Sequence, residues 1–407
     1  MSDKNKNNSN TPLGRFRVLD LTQVLSGPHC TQMLADLGAD IVKVERPGYG
    51  DDLRNTLAYK GREGHQDYFY ASNRTKRSIA LDLKSPRDRK VAHALAKEAD
   101  IVVENFAPGT AARLQMAWDD LKVLNPKLVY CSISGFGQSG PARDRLALDP
   151  VIQAIAGVMS VTGAPGTPPM QIGAPLADVM AGMYAAYAIV GALHGVRNDG
   201  EGRYIDISMQ ETMLAALGPR MGETLQAGRL PERQGNGNPL RVPAESYRTA
   251  DDRYIAIICM NDRFWPPVCR AIGRDDLIDD PRYTKMADRV ADRTIIDTML
   301  SEAFVQRTVE EWVPVLEAER VPFARVNDYA EALSDPQVVH RELVQELDHP
   351  TSGPIRVVGP PWQMTGGDPV DATPPPLLGE HTAEVLQEWL DWDNEQIAAL
   401  DSEAPSV

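Results

Sequence analysis

A chain of 407 residues, 43% hydrophobic and 24% charged, has the composition of an ordinary globular protein long enough for two domains. Its net charge of −15 argues against general binding to nucleic acid or to an anionic membrane. Cys30, Cys131, Cys259 and Cys269 show no CxxC spacing, which points away from a metal site and fits the reduced thiols of a cytoplasmic enzyme.

The start of the chain, Met1 to Asn10, is polar and lacks an apolar core, so residues 1–13 are expected to be a disordered tail rather than a signal peptide. Strand and helix signals then alternate. Phe16–Leu21 reads as a strand, Pro28–Leu37 as a helix closed by Gly38, and Asp40–Glu45 as a second strand. Arg77–Leu83 is a third strand, followed by a helix over Ser85–Glu98, the strand Ile101–Glu104, a helix from about Gly109 and the strand Lys127–Ile133. This order implies an α/β fold with a parallel sheet. The apolar run Val179–Leu193 is shorter than the ~20 residues needed to span a bilayer and reads as a packing helix. A strand at Arg203–Ser208 and a helix over Met209–Gly228 follow. The expected organisation is a large domain over 14–228, a Gly-, Asn-, Pro- and Arg-rich linker over 229–245, and a smaller α/β domain over 246–330. That domain opens with a hairpin around Asp251-Asp252 and has helices near Phe264–Ile272 and Thr294–Phe304. A return linker over 331–376 and a C-terminal segment over 377–407, with a helix at Glu380–Leu390, complete the chain.

Asp178 is the only Asp, Glu, Lys, Arg or His between Asp149 and His194. Pro175 suits the first turn of a helix, which sets Asp178 near an N-terminus where the helix dipole favours an anion. Ala181, Gly182 and Ala185 share its face and leave space beside the carboxylate. A carboxylate nucleophile needs such a setting; a simple first-turn charge would look the same.

The first turn, Gln23-Val-Leu-Ser-Gly27-Pro28, contains one glycine. It lacks the G-x-G-x-x-G loop that admits a dinucleotide pyrophosphate. Arg46, Arg54, Lys76, Lys84 and Arg113 nevertheless lie at the ends of early elements. In a parallel sheet such positions can converge on a phosphorylated ligand of another kind; solvated surface charge is the alternative.

Several strings together resemble the class III CoA-transferases, a family of the formyl-CoA and carnitine CoA-transferase type that also contains 2-methylacyl-CoA racemases. They are Arg17–Pro28, Leu34–Glu45, Lys76–Lys84, Val103–Gly109, Ser134–Pro141 and Leu377–Thr382. The resemblance implies a Rossmann-like large domain, a small α/β domain, long linkers and a ring-like interlocked homodimer. It implies Asp178 as the catalytic nucleophile, with Leu25, Ser26, Arg46, Leu81, Lys84, Asn105, Phe106 and Arg113 lining the coenzyme A site and Leu146 to Asp149 near the thioester. It implies an acyl-CoA and a small carboxylic acid as partners, with no tightly bound cofactor and no metal. Gly235 and Gly237 are a possible source of oxyanion donors. The run of glycines found in oxalate-using relatives is missing, and Leu25 stands where some relatives carry Gln.

A racemase needs two acid–base groups on opposite sides of the α-carbon. Leu148 stands where the family's racemase histidine would be, and no other His lies between His93 and His194. The expected activity is therefore CoA transfer through an aspartyl mixed anhydride and an aspartyl-CoA thioester, with the racemase as the alternative. Arg220, Arg233 and Arg241 could hold the second carboxylate of a dicarboxylic acid. Glu380-His381 and the tryptophans 265, 312 and 362 read as structural.

Overall fold

The computed structural model describes residues 10–56, 59, 62, 64–367 and 370–402. They form two compact units. The first runs to Gly157, then covers Ile172–Gly222, and resumes from His340. The second comprises Val158–Gln171 and Glu223–Val339.

The first unit is built on a six-stranded sheet: β1 (Arg17–Asp20), β2 (Asp40–Glu45), β3 (Lys76–Ala80), β4 (Ile101–Glu104), β5 (Val129–Ser134) and β6 (Arg203–Ser208). The spatial order is β3-β2-β1-β4-β5-β6 and every pair is parallel. The order reverses between β1 and β4, and in such sheets the crevice beyond the carboxyl ends at the reversal is where ligands bind. Both β4 and β5 are buried along their whole length, as parallel strands covered on both faces must be.

Three helices position the site: α1 (Ser26–Ala35), α4 (Asp149–Ile155) and α5 (Leu176–Asp199). The 24-residue α5 outruns the apolar stretch read in the sequence, and by length and composition alone could cross a membrane. Its small residues Ala177, Ala181, Gly182, Ala185 and Ala186, with Ile189 and Leu193, are buried, and it packs on α1, β5 and β6. On the other face, α2 (Pro86–Glu98) and α10 (Thr382–Leu390) close a core that includes Leu19, Val42, Leu95, Val102, Val385 and Trp389.

Local pattern and tertiary structure diverge in several places. Of the expected tail, residues 1–9 lie outside the described residues, whereas Thr11 and Leu13 are buried because the close approach of Thr11 to Gly38 seats this end against the turn after α1. The helix expected over Met209–Gly228 is interrupted: α6 (Met209–Ala216) stops short and the chain turns helical again from Gly218. The return linker contains an antiparallel hairpin, β10 (Val344–His349) with β11 (Gly353–Val358), whose Ile355 and Val357 pack with Phe69 and Tyr70.

In the second unit, β7 (Ala244–Arg248) and β8 (Tyr254–Ile258) form the hairpin expected around Asp251-Asp252, and β9 (Phe323–Arg325) adds to it antiparallel. The helices α7 (Trp265–Ala271), α8 (Arg293–Phe304) and α9 (Val309–Ala318) share a core containing Tyr247, Trp265, Phe304 and Trp312. Residues 158–171, assigned by sequence to the large domain, belong to this unit, where Gly163 accepts a hydrogen bond from the Gly235 amide.

Candidate active site

The turn joining β1 to α1 is fixed residue by residue from other elements. Lys43 on β2 donates to the Thr22 carbonyl at 2.8 Å. Asn105, just beyond β4, bonds both backbone groups of Gln23: its Oδ1 accepts from the amide and its Nδ2 donates to the carbonyl, each at 2.8 Å. Asp51 accepts from the Val24 amide at 3.1 Å and forms a fully buried ion pair with Lys43 at 2.9 Å. These supports hold Val24 at φ 65, a conformation that β-branched residues rarely adopt and that persists only where surrounding structure over-determines it.

The turn presents the N-terminus of α1, which no side chain caps, to the first turn of α5. Contact between these helices depends on Gly182: a Cβ there would stand 2.7 Å from the Ser26 carbonyl oxygen and 3.1 Å from the Cys30 nitrogen. One turn before Gly182 lies Asp178. The Ser26 hydroxyl hydrogen-bonds the Asp178 carboxylate, and Asn105 Nδ2 reaches Ser26 Oγ at 3.3 Å.

No local side chain caps α5. Its cap comes from α4, where Asp149 Oδ2 accepts from the amides of Ala177 at 2.7 Å and Asp178 at 3.1 Å, while Gln153 holds Oδ1 at 2.6 Å. Asp178 is thereby set beside a second carboxylate. Burial first, and then Asp149, push its pKa up to about 6, against the opposing Ser26 hydrogen bond. The carboxylate is poorly solvated yet still ionised at neutral pH, which favours nucleophilic attack.

At the same end of the sheet opens a cavity of about 780 Å³. Gln23, Arg46, Tyr49, Leu81, Lys84 and Phe106 are among its lining residues. Arg46 lies over the Tyr49 ring at 4.4 Å and pairs with Asp52 at the surface. Glu45, which ends β2 where an acid would meet a dinucleotide ribose, is occupied internally. Arg54 binds both of its oxygens at 2.7 Å, and Ser78 donates to one of them at 2.6 Å.

A mainly apolar cavity with Arg46 and Lys84 in its lining, in the same unit as a half-buried carboxylate at a helix N-terminus, suits a long phosphorylated thioester. Residues 13–382 match CoA-transferase family III. The chain belongs to this family. It is 35% identical over 394 residues to human succinyl-CoA:glutarate CoA-transferase, covering 97% of this chain and 89% of the relative. It is 37% identical over 386 residues to succinate–glutarate CoA-transferase of Agrobacterium fabrum, covering 94% and 96%. The crystal structure of a CaiB/BaiF family protein from Brucella suis superposes with a TM-score of 0.84 at 33% identity, covering 94% of this chain and all of that one. The protein is a CoA-transferase, moving coenzyme A from an acyl-CoA thioester to a carboxylic acid.

Within this CoA-transferase the residues singled out by sequence separate into groups. Arg46, Leu81, Lys84 and Phe106 line the large cavity. Ser26, Asn105, Asp149 and Asp178 form one hydrogen-bonded cluster, and Leu25 is the N-cap residue of α1. Asp149, which the resemblance sets near the thioester, has its oxygens on helix amides and Gln153 and stands beside Asp178. Leu146 is 90% exposed and is not among the residues lining the 780 Å³ cavity. Arg113 is exposed and bonds Thr110 at 2.6 Å, beside the large cavity rather than in its lining. Arg54 and Lys76 are not free cations: Lys76 is fully buried among Asp20, Thr31, Asn73 and the Pro28 carbonyl. In the second unit, Gly237 borders a cavity of about 500 Å³ with Asn236, Asn238 and Phe323, and Gly235 has φ 60.

Sequence reading missed the Lys43–Asp51 pair and the capping role of Asp149. Lys43, inside an otherwise apolar strand, was a usable signal, since a buried lysine requires a partner. Among the described residues, no cluster of His, Cys, Asp or Glu could hold a metal ion.

Proposed function

We propose that Asp178 is the covalent acyl carrier of this CoA-transferase. Its carboxylate attacks the donor thioester carbonyl, forming the aspartyl mixed anhydride and releasing CoA thiolate. The thiolate attacks the aspartyl carbonyl, releasing the donor acid and leaving an aspartyl-CoA thioester. The acceptor carboxylate then attacks that thioester, expelling CoA thiolate and forming a second anhydride. Thiolate attack on the acceptor's acyl carbon gives the product and restores Asp178. Each addition creates an oxyanion that needs N–H donors. The uncapped first-turn amides of α1 lie in the same unit as Asp178, and the Gly235/Gly237 loop is the other candidate source.

The observation that carries this reading is the setting of Asp178, half-buried beside Asp149 with its pKa raised to about 6. The racemase alternative lacks support for a second base: Leu148 is apolar and 70% exposed, and Asp149 is engaged with helix amides. The named relatives act on succinyl-CoA, succinate and glutarate, so we take four- and five-carbon dicarboxylic acids as the substrate class. Arg220, Arg233 and Arg241 remain the candidates for the distal carboxylate. A homodimer is part of the proposal, favoured by the exposure of Leu146, Leu148 and Tyr187, and a cytoplasmic location follows from the reduced-thiol reading.

In the decisive experiment, Asp178→Ala loses CoA exchange by on the order of 10⁴-fold or more while its circular dichroism and elution volume match wild type. Near-normal exchange by that variant would end the assignment. Hydroxylamine added during turnover should leave a hydroxamate on the peptide bearing Asp178, and an unmodified peptide would count against an acylated aspartate.

A further inference from the structure

We propose that Arg143 and Arg113 form a two-guanidinium clamp over Gly109 that holds a phosphate group of coenzyme A. The proposal rests on the CoA-transferase reading and adds a binding residue, Arg143, that the sequence did not single out. Gly109 has φ 80 and precedes the short helix α3 (Thr110–Arg113). The point where its Cβ would stand is 3.4 Å from Arg143 Nη2 and 3.5 Å from Arg113 Nη1. The two cations therefore flank one small volume, no more than about 7 Å apart. At that separation like charges repel.

Neither arginine is in an ion pair among the described residues. Arg113 Nη2 bonds only the Thr110 hydroxyl, and Arg143 Nε is buried without a partner. The chain carries 57 acidic residues against 42 basic ones, yet the carboxylates near these arginines do not pair with them. Asp119, on the adjoining cavity, pairs with Lys122. Glu104 on the same cavity is pushed up to about 7 by burial, against hydrogen bonds from Ser132 and the Phe106 amide, and it forms no ion pair with either arginine.

The location fits the ligand. Thr110, which binds Arg113, lines the 780 Å³ cavity together with Arg46, Lys84 and Phe106. Gly109 also lines a smaller cavity of about 200 Å³, to which Arg143 and Gln138 contribute polar side chains. Gln138 Nε2 is also buried without a partner. Unsatisfied donors converging with two guanidinium forks match the several acceptor oxygens of a phosphate, which arginine binds bidentately.

The test is calorimetric binding of coenzyme A and, by competition, of pantetheine, which has the thiol arm but no phosphate. Arg143→Ala should weaken coenzyme A by about tenfold, the loss expected for a charged hydrogen bond, and leave pantetheine within twofold of wild type. Arg143→Glu should weaken coenzyme A further, and Arg143→Lys should retain part of the affinity. Equal weakening of both ligands by Arg143→Ala, or unchanged coenzyme A binding, would overturn the clamp. Because binding is read rather than turnover, a failure of the transferase reading would instead appear as absent exchange with coenzyme A binding intact.

Discussion

The two ends of the candidate site are built in opposite ways. At Asp178 the surroundings are buried and cross-braced: Lys43, Asp51 and Asn105 hold the turn after β1, and Asp149 holds the start of α5. Around the large cavity the cations Arg46 and Lys84 are exposed, and the Arg46–Asp52 pair lies at the surface. The difference separates two physical demands. Covalent chemistry requires reacting groups fixed to a fraction of an ångström. Recognition of a flexible, charged ligand tolerates long side chains that rearrange on binding, each with a modest effect.

The contrast makes graded predictions. The largest effect short of removing Asp178 comes from Gly182→Ala, whose new Cβ meets Ser26 backbone at 2.7 Å and must separate α1 from α5. Exchange should fall on the order of 10²-fold, with stability lowered by about 1–3 kcal/mol; steady-state kinetics and a denaturant titration check both. Unchanged kinetics would mean that the packing of α1 on α5 does not set the geometry of the nucleophile.

Next comes the pH response. Only ionised Asp178 attacks, so kcat/KM should fall about tenfold per unit below pH 6. Asp149→Asn removes a neighbouring negative charge and should move that limb to lower pH. The stability effect has the opposite sense. The folded pKa of about 6 lies above the ~3.9 of an unfolded aspartate, so this group's contribution is fully present below about pH 4 and is lost as pH rises through 6. Asp178→Asn should therefore be the more stable protein at pH 7.5, by about 1–2 kcal/mol, with the advantage gone below about pH 4. A pH-independent difference in urea midpoints would contradict the raised pKa.

The smallest effect belongs to the open end. Arg46→Ala should raise KM for acyl-CoA about three- to tenfold with kcat nearly unchanged, the signature of binding shared by ground and transition states. A fall in kcat instead would show that Arg46 belongs to the braced end.

Sequence patterns reached the sheet and the reactive carboxylate. The bounds of β2, β4 and β6 coincide with the runs read at Asp40–Glu45, Ile101–Glu104 and Arg203–Ser208, because those strands are short and end at turn signals. Asp178 stood out because it was the lone Asp, Glu, Lys, Arg or His in a long apolar stretch. The pairing of charges was not legible. Arg54 and Lys76 looked like ligand cations, yet their partners Glu45 and Asp20 lie nine and fifty-six residues away. Asp149 caps a helix whose first amides come 28 residues later, beyond the reach of any local capping rule. The β10–β11 hairpin escaped notice because Val344-Gln-Glu-Leu-Asp-His349 alternates too weakly to read as a strand.

The braced turn also bears on how the protein becomes active. Thr22, Gln23 and Val24 are held by side chains from β2, from the loop after it and from the end of β4. A turn fastened from so many sequence-distant positions is expected to order late in folding. It consolidates only once three sequence-distant parts have docked, and loosens when any of them departs. Enzymatic activity should therefore be the last property gained during refolding and the first lost under mild denaturant, ahead of the spectroscopic signal of the sheet. Such local opening has its own free energy, smaller than that of global unfolding, and amide exchange at Gln23 and Val24 would measure it.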